Sequence, residues 1–257
     1  MQKTHAAVTG KKSALARYRE LIVGDDRLWF LLYYEFCVWL APIPGALGLA
    51  LRGLFWPRLF ACCGRGVLFG RGITLRHPGR IQLGDRVVLS EGCILDARHP
   101  MSEGARRDAI VLGNGVMLAD GVMLSCKGGG IRLGDNVGVN TRAVIQSVGD
   151  CPVHVGDDCV IGQGCLLVAG GSYDIGDRDD GLIRERPMVQ DGGLRLENNV
   201  WLGARVTVLG GVNMGSGSVA GAGAVITKSI PSRALCVGVP ARVVRTRQSG
   251  LTGDSAA

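Results

Sequence analysis

The chain has 257 residues, a formal net charge of +7 and only 5% aromatic residues against 41 glycines. That length allows one large domain or two small ones, and the composition implies an aliphatic core with many turns. It excludes a doubly wound nucleotide-binding domain, which needs long amphipathic helices alternating with strands. Without a zinc-finger spacing or an aromatic-interleaved basic stripe, nucleic acid is not an expected partner.

The basicity belongs to the N-terminal arm. The first 80 residues carry twelve Lys or Arg against Glu20, Asp25, Asp26 and Glu35, a balance of +8, which leaves the remainder at −1. Within the arm, residues 28–51 read LWFLLYYEFCVWLAPIPGALGLAL, a stretch long enough to span a bilayer. Three features oppose a simple span. Glu35 sits mid-stretch, Pro42 and Pro44 break it into two shorter helices, and its aromatics lie throughout rather than in two belts. Nor is it a signal peptide, because no small-residue cleavage site follows a single short apolar core. Three readings stay open: a helical pair capping the end of a solenoid, a hairpin in the cytoplasmic face of a membrane flanked by Arg27, Arg52 and Arg58, and a transmembrane helix. The arm is delimited as residues 1–66, and a peripheral membrane contact would use residues 28–60.

From Leu83 to Pro231 the chain repeats a six-residue unit: an aliphatic residue, often Gly next, polar positions, then a small or β-branched residue. Leu83-Gly84-Asp85-Arg86-Val87-Val88, Val155-Gly156-Asp157-Asp158-Cys159-Val160 and Leu202-Gly203-Ala204-Arg205-Val206-Thr207 are examples. A hexapeptide period predicts a parallel β-helix, in which each unit is a short strand plus a turn and stacked coils bury the aliphatic residue. Hexads start at 83, 89 and 95; 112, 118 and 124; 133, 139 and 145; 155, 161 and 167; 196, 202 and 208; and 214, 220 and 226. Three hexads close one triangular coil, so about six coils are expected over 67–232, followed by a C-terminal extension over 233–257. Every extra residue (101–111, 130–132, 151–154 and 173–195) follows a third hexad. These insertions therefore form one column at one corner of the prism, and function belongs there.

The nine cysteines are odd in number and lack a C-x-x-C pair. Cys93, Cys159 and Cys165 take the small fifth position of a hexad, which suits small hydrophobes filling the prism interior. No disulfide framework or metal site is expected, and a reducing cytoplasm is the default compartment.

The last third is more specific. Asn199-Val200-Trp201-Leu202-Gly203-Ala204, Val208-Leu209-Gly210-Gly211-Val212, Ala220-Gly221-Ala222-Gly223-Ala224-Val225-Ile226-Thr227-Lys228 and Val237-Gly238-Val239-Pro240-Ala241-Arg242-Val243-Val244-Arg245 resemble the end of the sugar O-acetyltransferase branch of the hexapeptide-repeat acyltransferases. That resemblance implies a left-handed parallel β-helix and a homotrimer. It also implies acetyl-CoA or another acyl-CoA as co-substrate, lying in a cleft between adjacent prisms, with no metal. Trp201, Gly203, Ala204, Gly221, Ala222, Thr227, Lys228 and Arg245 are the implied cofactor-binding residues. Small residues at 203, 221 and 222 would admit an extended pantetheine arm, and Lys228 and Arg245 would meet the CoA phosphates.

Members of the family carry a His in the long loop before the Trp coil, where it takes the proton of the acceptor hydroxyl. Here that stretch is Val168-Ala169-Gly170-Gly171-Ser172-Tyr173-Asp174-Ile175, with Tyr173 in place of the His. A phenol is a weak base at neutral pH unless a cation lowers its pKa, and Arg178, Arg184 and Arg186 share its loop. Of the four His, His5 lies in the leader and His77 in a turn before the first coil. His154 falls in the 151–154 insertion and points outward between Val153 and Val155. His99, in Ala97-Arg98-His99-Pro100, is three coils away from the expected loop. The catalytic candidates are thus Tyr173, His154 and Asp174, with His99 as the alternative. Asp177, Asp179 and Asp180 add acid groups to the loop. The expected activity is acyl transfer to a hydroxyl or amine of a sugar-like acceptor. A non-catalytic trimeric scaffold or acyl-CoA-binding protein is the alternative, and a zinc hydratase on this fold would need three converging His.

Overall fold

The computed structural model describes residues 13–98, 108–176 and 182–248. Its strands form three parallel sheets of seven, nine and seven strands, the chain visiting sheets 1, 2 and 3 in rotation, with one antiparallel strand at the end of sheet 2. The local cause is visible in the first and second hexads of each coil. Their fourth residue takes the left-handed conformation that turns the chain, with φ between 54° and 58° at Arg86, Asn136, Arg142, Asp158, Asn199 and Arg205. A non-glycine residue there costs about 1 kcal/mol or more, so stacking must offset it.

Stacking does so in two ways. Backbone N–H groups at the turns donate to the next coil, as in Gly84 N to Leu112 O at 2.8 Å and Gly134 N to Val155 O at 2.8 Å. Third-position side chains form a ladder at the corner between sheets 1 and 2. Asp85, Asn114, Asp135, Asp157 and Asn198 accept, through Oδ1, the N–H of Arg65, Asp85, Asn114, Asp135 and Asp157 at 2.7–3.0 Å. This ladder is why the sequence repeats an Asp or Asn two residues after the aliphatic position.

The interior is a stack of aliphatic rows, such as Ile81, Ile110, Ile131, Val153 and Leu194 on sheet 1, all buried. Cys93, Cys159 and Cys165 are buried in it as expected, each thiol donating to a carbonyl at 3.1–3.3 Å (Ala119, Glu197 and Gly203). Burial pushes the Cys93 thiol up to about 11. All nine cysteines are free.

The sheets begin one turn earlier than the hexads read from Leu83, with strands Cys62–Cys63, Leu68–Phe69 and Thr74–Arg76. The physical reason is substitution at the first position. Cys63, Phe69 and Leu75 keep the six-residue spacing, but only Leu75 is the aliphatic residue the pattern looks for.

Among the described residues, three α-helices precede this turn: α1 (Ala14–Tyr18), α2 (Leu28–Leu40) and α3 (Gly45–Phe55). Phe30, Leu31, Tyr34, Cys37 and Leu40 of α2 are buried, as are Trp56, Leu59 and Phe60 after α3. They close the prism end, with Trp56 and Phe60 against Phe69 at 5.5 and 5.6 Å between ring centroids. Polar groups lock the cap. Tyr34 donates to Leu75 O at 2.6 Å, Trp56 to Cys37 O at 3.1 Å, and the buried Arg52 to Phe69 O at 2.9 Å and Ile43 O at 2.8 Å. Among the described residues no helix is long and apolar enough to cross a membrane.

Candidate active site

Every long insertion connects sheet 3 back to sheet 1, as the single-column reading requires. The longest leaves strand Leu166–Ala169 and returns at Leu194–Leu196. Asp191 closes its base. One carboxylate oxygen accepts Gly170 N at 2.6 Å and the other Gly193 N at 2.9 Å. The same carboxylate packs on Gly210 of the next coil so closely that a Cβ there would lie 1.8 Å from its Oδ2. A side chain at 210 would have to displace this carboxylate from its two N–H donors. Above this base the loop folds into a short antiparallel ribbon. Tyr173 pairs with Met188, Asp174 N donates to Pro187 O at 2.9 Å, and Val189 N to Ser172 O at 2.8 Å.

Tyr173 and Asp174 are both exposed on this ribbon. Asp174 Oδ1 accepts Gly176 N at 3.0 Å, which shapes the turn beyond it. Arg186 directs a guanidinium nitrogen to the carbonyl of Ile175 at 2.5 Å and of Asp174 at 3.5 Å, crossing the ribbon close to Tyr173 in sequence. Arg178, Asp177, Asp179 and Asp180 lie outside the described residues, as do His5, His99 and the side chain of Arg184.

His154 is not at the corner. It is the middle residue of strand Val153–Val155 in sheet 1, outward-facing, in register with Arg132 on one side and Arg195 on the other. The reason is pairing: Ile131–Leu133 and Leu194–Leu196 draw Val153–Val155 into the sheet, which converts the supposed end of an insertion into a strand. His77 is a buried turn residue with φ 52°, its Nε2 2.9 Å from Glu20 O. Burial, opposed by that bond, brings its pKa down to about 4. It fastens the arm to the first coil.

Trp201 faces outward from sheet 2, between Val160 and Val219, and is exposed. Gly203 and Ala204, then Gly221 and Ala222, follow at the corner between sheets 2 and 3 in successive coils. The two glycines face the neighbouring turn. A Cβ on Gly203 would lie 2.7 Å from Ala222 N, and on Gly221 2.7 Å from Val237 Cγ1, so coil stacking already demands them. Thr227 and Lys228 are exposed just after strand Val225–Ile226 of sheet 3. Lys228 lies between that strand and Ile230, which bridges to Met214 of sheet 1, so it stands at the corner between sheets 3 and 1. Arg245 is exposed on strand Arg242–Thr246, opposite Leu235.

One chain therefore holds two groups at the two corners that flank sheet 3. Residues 203, 204, 221 and 222 stand at one, and Tyr173, Asp174 and Lys228 at the other. The short strands of sheet 3 lie between them. Trp201 and His154 project from the two other faces.

Sequence reasoning missed a buried ionic cluster at the same column, lower in the prism. Asp96, fully buried, binds Arg98 (Nε to Oδ1 2.8 Å, Nη2 to Oδ2 2.6 Å) and Arg76 (3.0 Å). Burial pushes its carboxyl up, but bonds from Arg98 and Arg76 win and hold it below the usual range. Its only sequence signal was the Asp at a strand end followed by Arg98. Among the described residues, no group of three His, Cys, Asp or Glu is arranged to hold a metal ion.

The repeat matches the family model described as the hexapeptide repeat of succinyl-transferase, over residues 142–169 and 193–228. Over these residues the chain is similar to hexapeptide-repeat proteins. A Staphylococcus aureus protein named "Putative acetyltransferase" is 36% identical over 128 residues, half of this chain and 61% of the relative. The galactoside O-acetyltransferase of Escherichia coli is 35% identical over 119 residues, 46% of this chain and 55% of the relative. The chain spans only about three fifths of the length of these relatives. Among solved structures, the polySia-specific acetyltransferase NeuO aligns with a TM-score of 0.50 and 19% identity, over 76% of this chain and 85% of its own. AntD, an N-acyltransferase from Bacillus cereus in complex with dTDP and 3-hydroxybutyryl-CoA, aligns with a TM-score of 0.50 and 21% identity, over 80% and 89%. At those identities the likeness concerns the fold, and with the three parallel sheets it fits a left-handed β-helix.

Proposed function

We propose that this chain is an acyl-CoA-dependent acyltransferase that moves an acyl group, with acetyl as the first candidate, onto a hydroxyl or amine of a sugar-like acceptor. The observation that carries the reading is the 193–228 stretch, where the family match coincides with the coils placing Trp201, Gly203, Ala204, Gly221, Ala222, Thr227 and Lys228. The similarity to galactoside O-acetyltransferase supports a saccharide acceptor, and AntD's CoA-bound form supports acyl-CoA as co-substrate. Exposed Lys228 and Arg245 suit the CoA phosphates, with no metal required.

In the reaction the acceptor oxygen or nitrogen attacks the thioester carbonyl carbon while a base takes its proton. The tetrahedral intermediate then collapses, the C–S bond breaks, and CoA leaves as thiol after receiving a proton. Tyr173, with Asp174 beside it on the ribbon, and His154 on the adjoining face are the candidate bases, with His99 as the alternative. Trp201 and His154 face away from sheet 3 of their own chain, so a homotrimer, in which one prism meets the next, is the assembly this reading requires. A cytoplasmic location suits a CoA-dependent enzyme with free cysteines.

The test is calorimetric titration with CoA and acetyl-CoA, followed by thiol-release assays on galactosides and amino sugars. Submillimolar CoA binding is expected, with Tyr173→Phe or His154→Ala lowering kcat about 100-fold to 10,000-fold while CoA binding survives. Absence of CoA binding by the folded protein would remove the proposal. Residues 170–193 contain no His, which favours a second reading. CoA binding with no transfer to any acceptor would identify a trimeric acyl-CoA-binding scaffold.

A further inference from the structure

The helical cap carries a second apolar face that the prism does not cover. In α2, Leu28, Trp29, Leu32, Phe36 and Trp39 recur at the spacing of one helix face, opposite the buried Phe30, Leu31, Tyr34 and Cys37. All five are exposed, Trp39 to 79%, Leu32 to 63% and Trp29 to 59%. α3 extends the patch with exposed Leu47 and Leu54, and Phe36 meets Phe55 edge-on at 5.0 Å between the two helices. A helix apolar on both sides is expected when one side meets a core and the other meets a second apolar phase. Patches of this kind mark protein or membrane contacts.

Charge distinguishes the two. The single charged residue of α2, Glu35, receives the Tyr18 hydroxyl at 2.5 Å, so its carboxylate is not presented bare. Asp25 is bound by Arg27 (Nη2 to Oδ2 2.5 Å) and Asp26 lies 3.7 Å from Arg19. Each of these acids is thus matched by a cation or a hydroxyl. The Arg27 guanidinium stands 4.8 Å from the Trp29 ring centre, and Arg58, exposed after α3, adds a positive charge to the rim. By sequence, residues 1–12 ahead of the cap carry Lys3, Lys11 and Lys12 and no acidic residue. Tryptophans at both ends of a short helix, aliphatic side chains between them and a cationic border match an interfacial helix on anionic lipid. At 13 residues α2 is about 20 Å long, too short for a 30 Å hydrocarbon core, so it would lie in the interface plane.

We propose that the outer face of α2 and α3 docks this protein on an anionic lipid surface while the inner face caps the β-helix. The two readings of the arm are then two sides of one element. The surface is independent of the acyltransfer site, and its test needs no acceptor.

The full-length protein is mixed with large vesicles of phosphatidylcholine alone or with phosphatidylglycerol, at low and high salt, and followed by flotation and tryptophan emission. Binding to the phosphatidylglycerol vesicles is expected, with emission moving to shorter wavelength and affinity falling as salt rises. Trp39→Gln and the double variant Leu32→Gln with Trp39→Gln should lose about tenfold or more in partitioning. Their melting temperatures should stay within about 2 °C of the parent, because exposed side chains contribute little to stability. The proposal is overturned by a folded parent protein that ignores both vesicles, or by variants that bind as well as the parent. It is equally overturned if these substitutions dissolve a self-association seen by light scattering while vesicle binding is absent, which would make the face a protein contact.

Discussion

Three side chains do the anchoring that the repeat cannot do alone. His77 joins the arm to the first coil, and its folded pKa of about 4 lies below the reference value of about 6.5. The neutral ring is favoured in the folded state, so its contribution is complete above pH 6.5 and is lost as pH falls toward 4, because the unfolded chain then binds the extra proton. That difference is worth on the order of 3 kcal/mol. His77→Asn tolerates the left-handed backbone and does not titrate, so its melting temperature should vary less between pH 7 and 4.5 than the parent's. Asp96 illustrates the ionic counterpart. Its two arginines are partly solvated, with side chains 32% and 25% exposed, so Asp96→Ala should cost about 2–3 kcal/mol rather than the full value of a dry pair. Urea denaturation would measure it. At the active corner, Asp191→Ala should release the loop base, and limited proteolysis should cut residues 170–193 faster with only a small fall in global stability.

At the scale of the element, the hexad is a strand, a left-handed turn residue and a ladder side chain, and each part was readable because each is local. The third-position Asp or Asn stood out in the sequence, but its partner did not, since that partner is a backbone N–H one coil below. The ladder therefore makes a prediction of its own. Asp135 accepts Asn114 N at 2.7 Å and is approached by Asn114 Nδ2 at 3.3 Å, so Asp135→Ala should cost about 1–2 kcal/mol while Asp135→Asn keeps most of that bond. Equilibrium unfolding of both variants decides it. The first turn escaped notice because Cys63 and Phe69 stand where aliphatic residues mark the others. His154 was misplaced for a related reason: counting insertions locates a corner but not the residue at which pairing resumes.

For the whole molecule, the cap and the stack stand or fall together. Phe69, Ile73 and Leu75 of the first turn are buried under α2 and the residues after α3, so a chain starting at residue 67 should aggregate during refolding, as light scattering would show. The two corners flanking sheet 3, with Trp201 and His154 on other faces, predict a trimer. A stable monomer at micromolar concentration would oppose any active site shared between prisms.

What the sequence alone determined is what its six-residue period dictates: strands, turns, an aliphatic interior, and a single column of insertions. Those are nearest-neighbour properties of a solenoid, in which each coil touches only the coils beside it. The tertiary structure decided the rest, because the rest depends on contacts between distant residues. His77 reaches back to Glu20, Asp191 closes a loop onto Gly170 and Gly193, and a Cβ on Gly203 would meet Ala222 of the next coil. Whether α2 would cap or face outward was likewise undecidable from a segment apolar all round. Only the packing of Phe30, Tyr34 and Cys37 against the first coil assigned one side to the core and left Trp29, Leu32 and Trp39 on the other.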